Sequence, residues 1–298
     1  MEIVVKEINV KGVMTKSNLP WEDYSVNPYV GCAHACKYCY ASFMKRFTNH
    51  LEPWGTFVDV KTWPEIKHPE KYAGKRVFLG SVTDPYQPCE EKFKRTRKLL
   101  EELQGSGIHL TIATKSDLIL RDLDLLKTFP HLRISWSINT LDEEFRCEMD
   151  DGVSIERRLA AMKKFYDAGV QTTCFMSPVF PGITNVREII LAAKDRCNLV
   201  WVENLNLRGD YKARIIEWIH ANRPQLDELY REIYGKKKRG YWQELDENIK
   251  SFAKEEHMRY VRNDDSIRAD FGELPIIVNY FFHEEIVPSA QRNSDVKK

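Results

Sequence analysis

The sequence has almost no excess of charge: 45 Lys and Arg stand against 44 Asp and Glu in 298 residues, a formal net charge of +1. That balance excludes a protein that coats nucleic acid through its global field, while leaving room for a local basic groove. No run approaches the ~18 apolar residues of a membrane span. The opening Met1-Glu2-Ile3-Val4-Val5-Lys6-Glu7 lacks the apolar stretch of a secretory signal. There is no low-complexity segment and no repeat longer than a strand–helix unit. With 43% hydrophobic and 11% aromatic residues, intrinsic disorder is excluded as well. Nor do the cysteines form an even disulfide set. There are seven, in a chain long enough to hold a core without staples. The expectation is a cytoplasmic protein in a reducing compartment, where clustered thiols point to metal or catalysis before disulfides. Three of the seven are clustered.

After a lead-in over 1–23, short apolar runs alternate with amphipathic stretches. Runs at 76–80, 109–114, 132–138, 171–176 and 199–205 read as strands. Helical spacing occupies 90–104, 118–129, 154–168, 185–197 and 211–221, with Ser154 as a cap and Gly105, Pro130 and Gly169 as stops. Strands alternating with helices of this length predict a parallel sheet, curved or closed as a barrel. Beyond Pro224 the pattern changes to helices at 225–234 and 241–257, a strand at 276–282 and a polar tail from Pro288 expected to be disordered. Three segments follow: the lead-in, a barrel over 24–222, and an extension over 223–298.

Gly31-Cys32-Ala33-His34-Ala35-Cys36-Lys37-Tyr38-Cys39-Tyr40 sets three thiols at C-x3-C-x2-C spacing in one loop. So short a loop can wrap three thiolates around one compact metal centre. A tetrahedral zinc site asks for a fourth ligand, and His34 lies inside the loop, poorly placed to reach the same ion. Four irons held by three cysteines leave one iron open, which suits a small molecule that must be chelated and reduced. On the residues alone, zinc, a simple electron-transfer centre and an open cluster all stand.

The spacing, with an aromatic just before the third cysteine, resembles the radical S-adenosylmethionine (SAM) enzymes. It is most similar to the branch containing spore photoproduct lyase and its relatives called radical SAM mobile pair protein B. Four further segments carry the likeness: Ser81-Val82-Thr83-Asp84-Pro85-Tyr86-Gln87-Pro88, Ala113-Thr114-Lys115-Ser116, Trp136-Ser137-Ile138-Asn139-Thr140 and Ser177-Pro178-Val179-Phe180-Pro181-Gly182-Ile183. Each falls where a strand is expected to end, the active-site face of a barrel. The resemblance implies a partial (β/α)6 TIM barrel of the radical SAM type with a helical C-terminal extension. It implies a [4Fe-4S] cluster on Cys32, Cys36 and Cys39 whose open iron binds SAM. Reductive cleavage then yields a 5′-deoxyadenosyl radical that abstracts hydrogen from substrate. For the cofactor, Thr83 and Ser137 offer hydroxyls, Lys115 offers a cation to the methionine carboxylate, Tyr38 lies along the adenine, and Ser177 approaches the adenosine through its backbone. The implied partners are an electron donor such as flavodoxin or ferredoxin, a substrate, and by one branch a second radical SAM protein.

The likeness also breaks. Spore photoproduct lyase reads Cys-Thr-Ser-Asp where this chain reads Ser81-Val82-Thr83-Asp84. That cysteine donates a hydrogen atom to the product radical, and a serine O–H bond is too strong to serve easily in its place. Dimer-splitting lyase activity is therefore not expected. Cys89, eight residues on, is the one candidate for a replacement donor or redox thiol, against the plainer reading of a small residue at a helix start. Cys174 and Cys197 read as buried packing thiols. Arg157 and Arg158 read either as anion contacts beside the barrel mouth or as surface ion pairs. Lys236–Arg239 with Tyr241 and Trp242 mixes charge and rings as single-stranded nucleic acid sites do, although a solvated turn explains it too. Nucleic acid or a nucleotide is the leading substrate class. A peptide- or protein-modifying enzyme and a non-catalytic iron–sulfur sensor are the alternatives.

Overall fold

The computed structural model describes residues 3–19, 21–263 and 276–283. The tail from Pro288 lies outside them. Strands β1 (Val4–Asn9), β2 (Met14–Lys16), β3 (Tyr24–Val26), β4 (Tyr29–Val30) and β5 (Phe57–Thr62) precede β6 (Arg76–Leu79), β7 (His109–Thr114), β8 (His131–Ser137), β9 (Gln171–Val179), β10 (Leu199–Asn204), β11 (Arg259–Arg262) and β12 (Ile277–Phe281). Nine of them form one sheet in the order β11-β12-β10-β9-β8-β7-β6-β3-β2, parallel throughout except for the β2–β3 pair. A parallel sheet is covered on both faces, so its strands read as continuous apolar runs. β10 is the clearest case, buried at all six positions.

The helices are α1 (Cys89–Phe93), α2 (Arg95–Leu103), α3 (Leu123–Leu126), α4 (Glu143–Met149), α5 (Ile155–Asp167), α6 (Val186–Ala193), α7 (Tyr211–Asn222), α8 (Asp227–Tyr230) and α9 (Gly240–Glu255). Ser154 caps α5 by accepting from the Arg157 N–H, and Asn185 caps α6. α5 lays Met162 and Phe165 on the sheet, where the Phe165 ring meets Trp136 of β8 at 5.5 Å. The architecture is the expected partial (β/α)6 barrel, in which β3 and β6 to β10 are each followed by a helical connection.

The structure departs from the sequence reading in three places, although the strand expected at 276–282 forms as β12. The helix expected over 90–104 breaks at Lys94, which adopts φ 50°, so that α1 and α2 meet at an angle of the chain. The stretch 225–234 is a succession of 3-10, α and π turns. The extension is helical but also supplies β11 and β12 to the main sheet, with β12 lying parallel to β10 from Leu199 to Glu203. A separate small sheet, β1-β5-β4, stands beside the thiol loop.

Candidate functional site

The loop after β4 carries the three thiols. Gly31 opens it at φ 85°, and a Cβ there would lie 2.2 Å from the Phe57 carbonyl oxygen, so only glycine fits. Gly55 similarly abuts Ala35, where a Cβ would lie 2.9 Å from its backbone. The loop is then tied to the end of β6. The Thr83 hydroxyl donates to the Gly31 carbonyl at 2.6 Å, and Gln87, fully buried, donates to Thr83 and accepts from the Ala33 N–H at 2.9 Å.

Two buried carboxylates organise what surrounds the thiols. Asp84 accepts from the backbone N–H of Tyr86 and of Lys115 and from the Thr114 hydroxyl, at 2.7–2.8 Å, and stands 3.0 Å from His34 Nε2. It thereby joins the ends of β6 and β7 to the thiol loop. Burial acts to raise its pKa, but His34 and the two backbone donors outweigh it and hold the carboxyl below its ordinary value. Asp150, just after α4, accepts from Arg158 at 2.6 Å, Gly152 N–H at 2.9 Å and the Tyr38 hydroxyl at 3.1 Å. Arg158, wholly buried, also donates to the Ser137 carbonyl at 3.0 Å, which brings β8 into the same network. Backbone bonds from Lys37 N–H to Met149 O and from Asp151 N–H to His34 O dock this corner against the loop.

Lys115 lies between the two carboxylates, its Nζ 5.6 Å from the centre of the Tyr38 ring. Burial works against its charge, yet Cys36 and Asp150 more than compensate, and its pKa is raised. The thiols are the mirror image. Burial, then Asp84, pushes Cys32 up well above its ordinary value; burial pushes Cys36 up to about 12 against the pull of Lys115, with Asp150 adding to it; burial raises Cys39 also, against a hydrogen bond from Trp54. A cationic centre among them is what would let all three ionise.

Of the residues singled out from the sequence, Cys32, Cys36, Cys39, Tyr38, Thr83, Lys115 and Ser137 belong to this one network. Ser177 lies one strand further, its hydroxyl donating to Glu203 of β10 at 2.7 Å. Cys89 lies beside the thiol loop, in one apolar cluster with Ala33. Its side chain packs with Tyr29, Val58, Val60 and Phe93 against the small sheet, and burial followed by Glu90 pushes the thiol up to about 12. Arg157 makes an exposed ion pair with Asp117 at 2.7 Å, as the surface reading has it, while Arg158 spends its guanidinium inside the protein on Asp150, Val153 and Ser137. Lys236 and Lys238 pair with Glu232, whose pKa is lowered to about 2 by those bonds, and Trp242 is buried, so its ring is not open for stacking there. Sequence reasoning missed Asp84 and Gln87 as organisers although both lie in a quoted segment, and missed Asp150, which no pattern marks.

The residues fit a multi-iron cluster: neighbouring thiols on one loop, a glycine cradle, and a buried His34 Nδ1 with no hydrogen-bond partner among the described residues. Among the described residues no three His, Cys, Asp or Glu side chains gather as one metal ion requires, and a cluster that gives each thiolate its own iron does not ask for that convergence.

Comparison with known proteins agrees. The Radical SAM superfamily matches residues 26–192, and the chain belongs to that superfamily. Uncharacterized protein MJ0683 of Methanocaldococcus jannaschii is 34% identical over 230 residues, covering 76% of this chain and 87% of that one. Uncharacterized protein Rv2578c of Mycobacterium tuberculosis is 30% identical over 254 residues, with coverages of 78% and 74%. Spore photoproduct lyase complexed with dinucleoside spore photoproduct shares the fold, with a TM-score of 0.61 at 15% identity over 93% of this chain and 82% of that one. The protein is a radical SAM enzyme, with a [4Fe-4S] cluster and SAM as its cofactors. Among the described residues no helix is long and apolar enough to cross a membrane.

Proposed function

We propose that Cys32, Cys36 and Cys39 hold the cluster, that the ends of β6 to β9 bind SAM, and that the enzyme abstracts hydrogen from a nucleic acid or nucleotide. When bound, the cluster supplies the electron that cleaves SAM to methionine and a 5′-deoxyadenosyl radical. The chain's own residues bind, orient and exclude water. Lys115, kept charged by Cys36 and Asp150, faces the methionine carboxylate. Tyr38, fixed by Asp150 at its hydroxyl and by Phe180 at 5.5 Å on its ring, gives the adenine a rigid wall. Ser137 and the Ser177 backbone line the nucleoside side. Thr83 acts on the loop, because its hydroxyl is spent on Gly31.

The observation that carries this reading is the convergence of three successive strand ends on one thiol loop through Asp84, Asp150 and Arg158. Support for the substrate class is the fold shared with a lyase that binds a dinucleoside. Ser81 accepts from Asn27 at 3.0 Å, a fixed hydroxyl where that lyase has its donor thiol, so dimer splitting is not proposed. The test is anaerobic reconstitution with iron and sulfide, followed by dithionite and SAM. 5′-Deoxyadenosine is expected from the wild type and not from Cys36→Ala. Wild-type protein that assembles a cluster yet releases none would sink the enzymatic reading in favour of a sensor.

A further inference from the structure

The chain that leaves the thiol loop through the 3-10 helix Tyr40–Phe47 returns to it at Trp54. His50 fixes the return. It is buried, its Nε2 stands 2.8 Å from Asp59, and its ring stacks on Phe57 at 3.9 Å. Asp59 and Phe57 both belong to β5, so the returning segment is fastened to the small sheet. A turn follows, in which the Thr56 N–H donates to the Pro53 carbonyl at 3.2 Å. Gly55, at φ 99°, lets that turn lie directly on Ala35 of the thiol loop.

The turn presents Trp54 to the last of the three thiols. Its half-buried ring meets Phe57 edge-on, with centres 5.8 Å apart and planes at 88°. Its indole N–H donates to the Cys39 sulfur. Cys39 also accepts from the backbone N–H of Ala41, and Cys32 from that of His34. Those two bonds come from the winding of the backbone, and most side chains at those positions would leave them in place. The indole bond is different in kind, because it comes from a side chain outside the loop. Packing on Phe57 asks only for a ring; an N–H turned to a ligand sulfur asks for tryptophan.

We propose that Trp54 is a positioning residue for the reduction step, acting through Cys39 to stabilise the reduced cluster and so raise its potential. The inference rests on the cluster assignment above. Reduction adds one electron, taken from the external reductant the reaction already uses, to a centre ringed by three thiolates; no bond forms or breaks. A hydrogen bond donated to a ligand sulfur favours the more negative, reduced state, so its removal lowers the potential. A ring that only kept water off the cluster would act with the opposite sign, since its loss admits solvent and raises the potential.

The test compares full-length, reconstituted, SAM-free wild type with Trp54→Phe, which keeps a ring beside Phe57 and removes the N–H. The midpoint potential is read by redox titration followed by electron paramagnetic resonance, with iron per chain and cluster absorbance alongside. The variant is expected to hold the same iron at a more negative potential. An equal or more positive potential at equal iron content overturns the proposal. A second measurement decides the matter should Trp54→Phe load poorly. Wild type carrying indole-15N tryptophan, reduced with dithionite, is expected to show 15N coupling to the cluster spin by pulsed resonance, and its absence also overturns the proposal. Wild type that assembles no iron–sulfur cluster brings down the cluster assignment and this inference together, whereas an intact cluster with an unmoved potential removes the role of Trp54 alone.

Discussion

At the scale of single residues, the site is governed by charges that burial would extinguish if they stood alone. Arg158 and Asp150 have side chains 0% and 1% exposed and meet at 2.6 Å. Burial pushes the Asp150 carboxyl up, while Arg158 and then Lys115 pull it further down, to a value below the ordinary one. A depressed value means that the pair stabilises the fold above the unfolded carboxyl pKa of ~3.9 and loses that contribution as pH falls through the lower folded value. Arg158→Leu strands a buried anion and is expected to cost ~3–5 kcal/mol near neutral pH. In that variant protonation of Asp150 relieves the penalty. The gap in urea midpoint between wild type and variant should therefore narrow as pH is lowered from neutral toward ~4, and a gap that stays constant with pH would rule this account out. Cys89, with its thiol at about 12, has no comparable device to ionise it.

At the scale of elements, the thiol loop depends on one conformation at Gly31. Gly31→Ala would force a left-handed residue, worth ~1–3 kcal/mol of strain, and drive a methyl into the Phe57 carbonyl. The expected result is a lower Tm and a several-fold fall in iron bound per chain after reconstitution. Unchanged iron content would show that the loop tolerates the shift. The strands β6 to β10 were legible because each is an apolar run bounded by turn residues. The thiol loop was legible because its chemistry lies within ten consecutive positions. What could not be read is what depends on distant partners. β5 (Phe57–Thr62) becomes a strand by pairing with β1, fifty residues earlier, and its own sequence alternates with charge. Lys94 breaks a stretch of good helix formers because Glu90 turns inward, accepting from the N–H groups of Thr96 and Arg97. Asp150 becomes central only when α4 and the thiol loop meet.

At the scale of the whole molecule, the main sheet extends beyond residues 24–222. β12 covers the full edge of β10 and its Asn279, Tyr280 and Phe281 are all buried. Truncation after Asn222 would open a long apolar edge, and such edges recruit other chains. Insoluble or aggregated protein is expected on size-exclusion chromatography, and a monomeric, cluster-loading 1–222 fragment would establish the barrel segment as independent. The sheet order carries a further consequence for how the molecule comes into being. β12 is inserted between β10 and β11, both of which leave the ribosome before it. The thiol loop is translated more than two hundred residues ahead of β12, the strand that seals the sheet beside β10. A nascent chain thus exposes Cys32, Cys36 and Cys39 well before the sheet around them can be completed, an interval in which those thiols are open to oxidation.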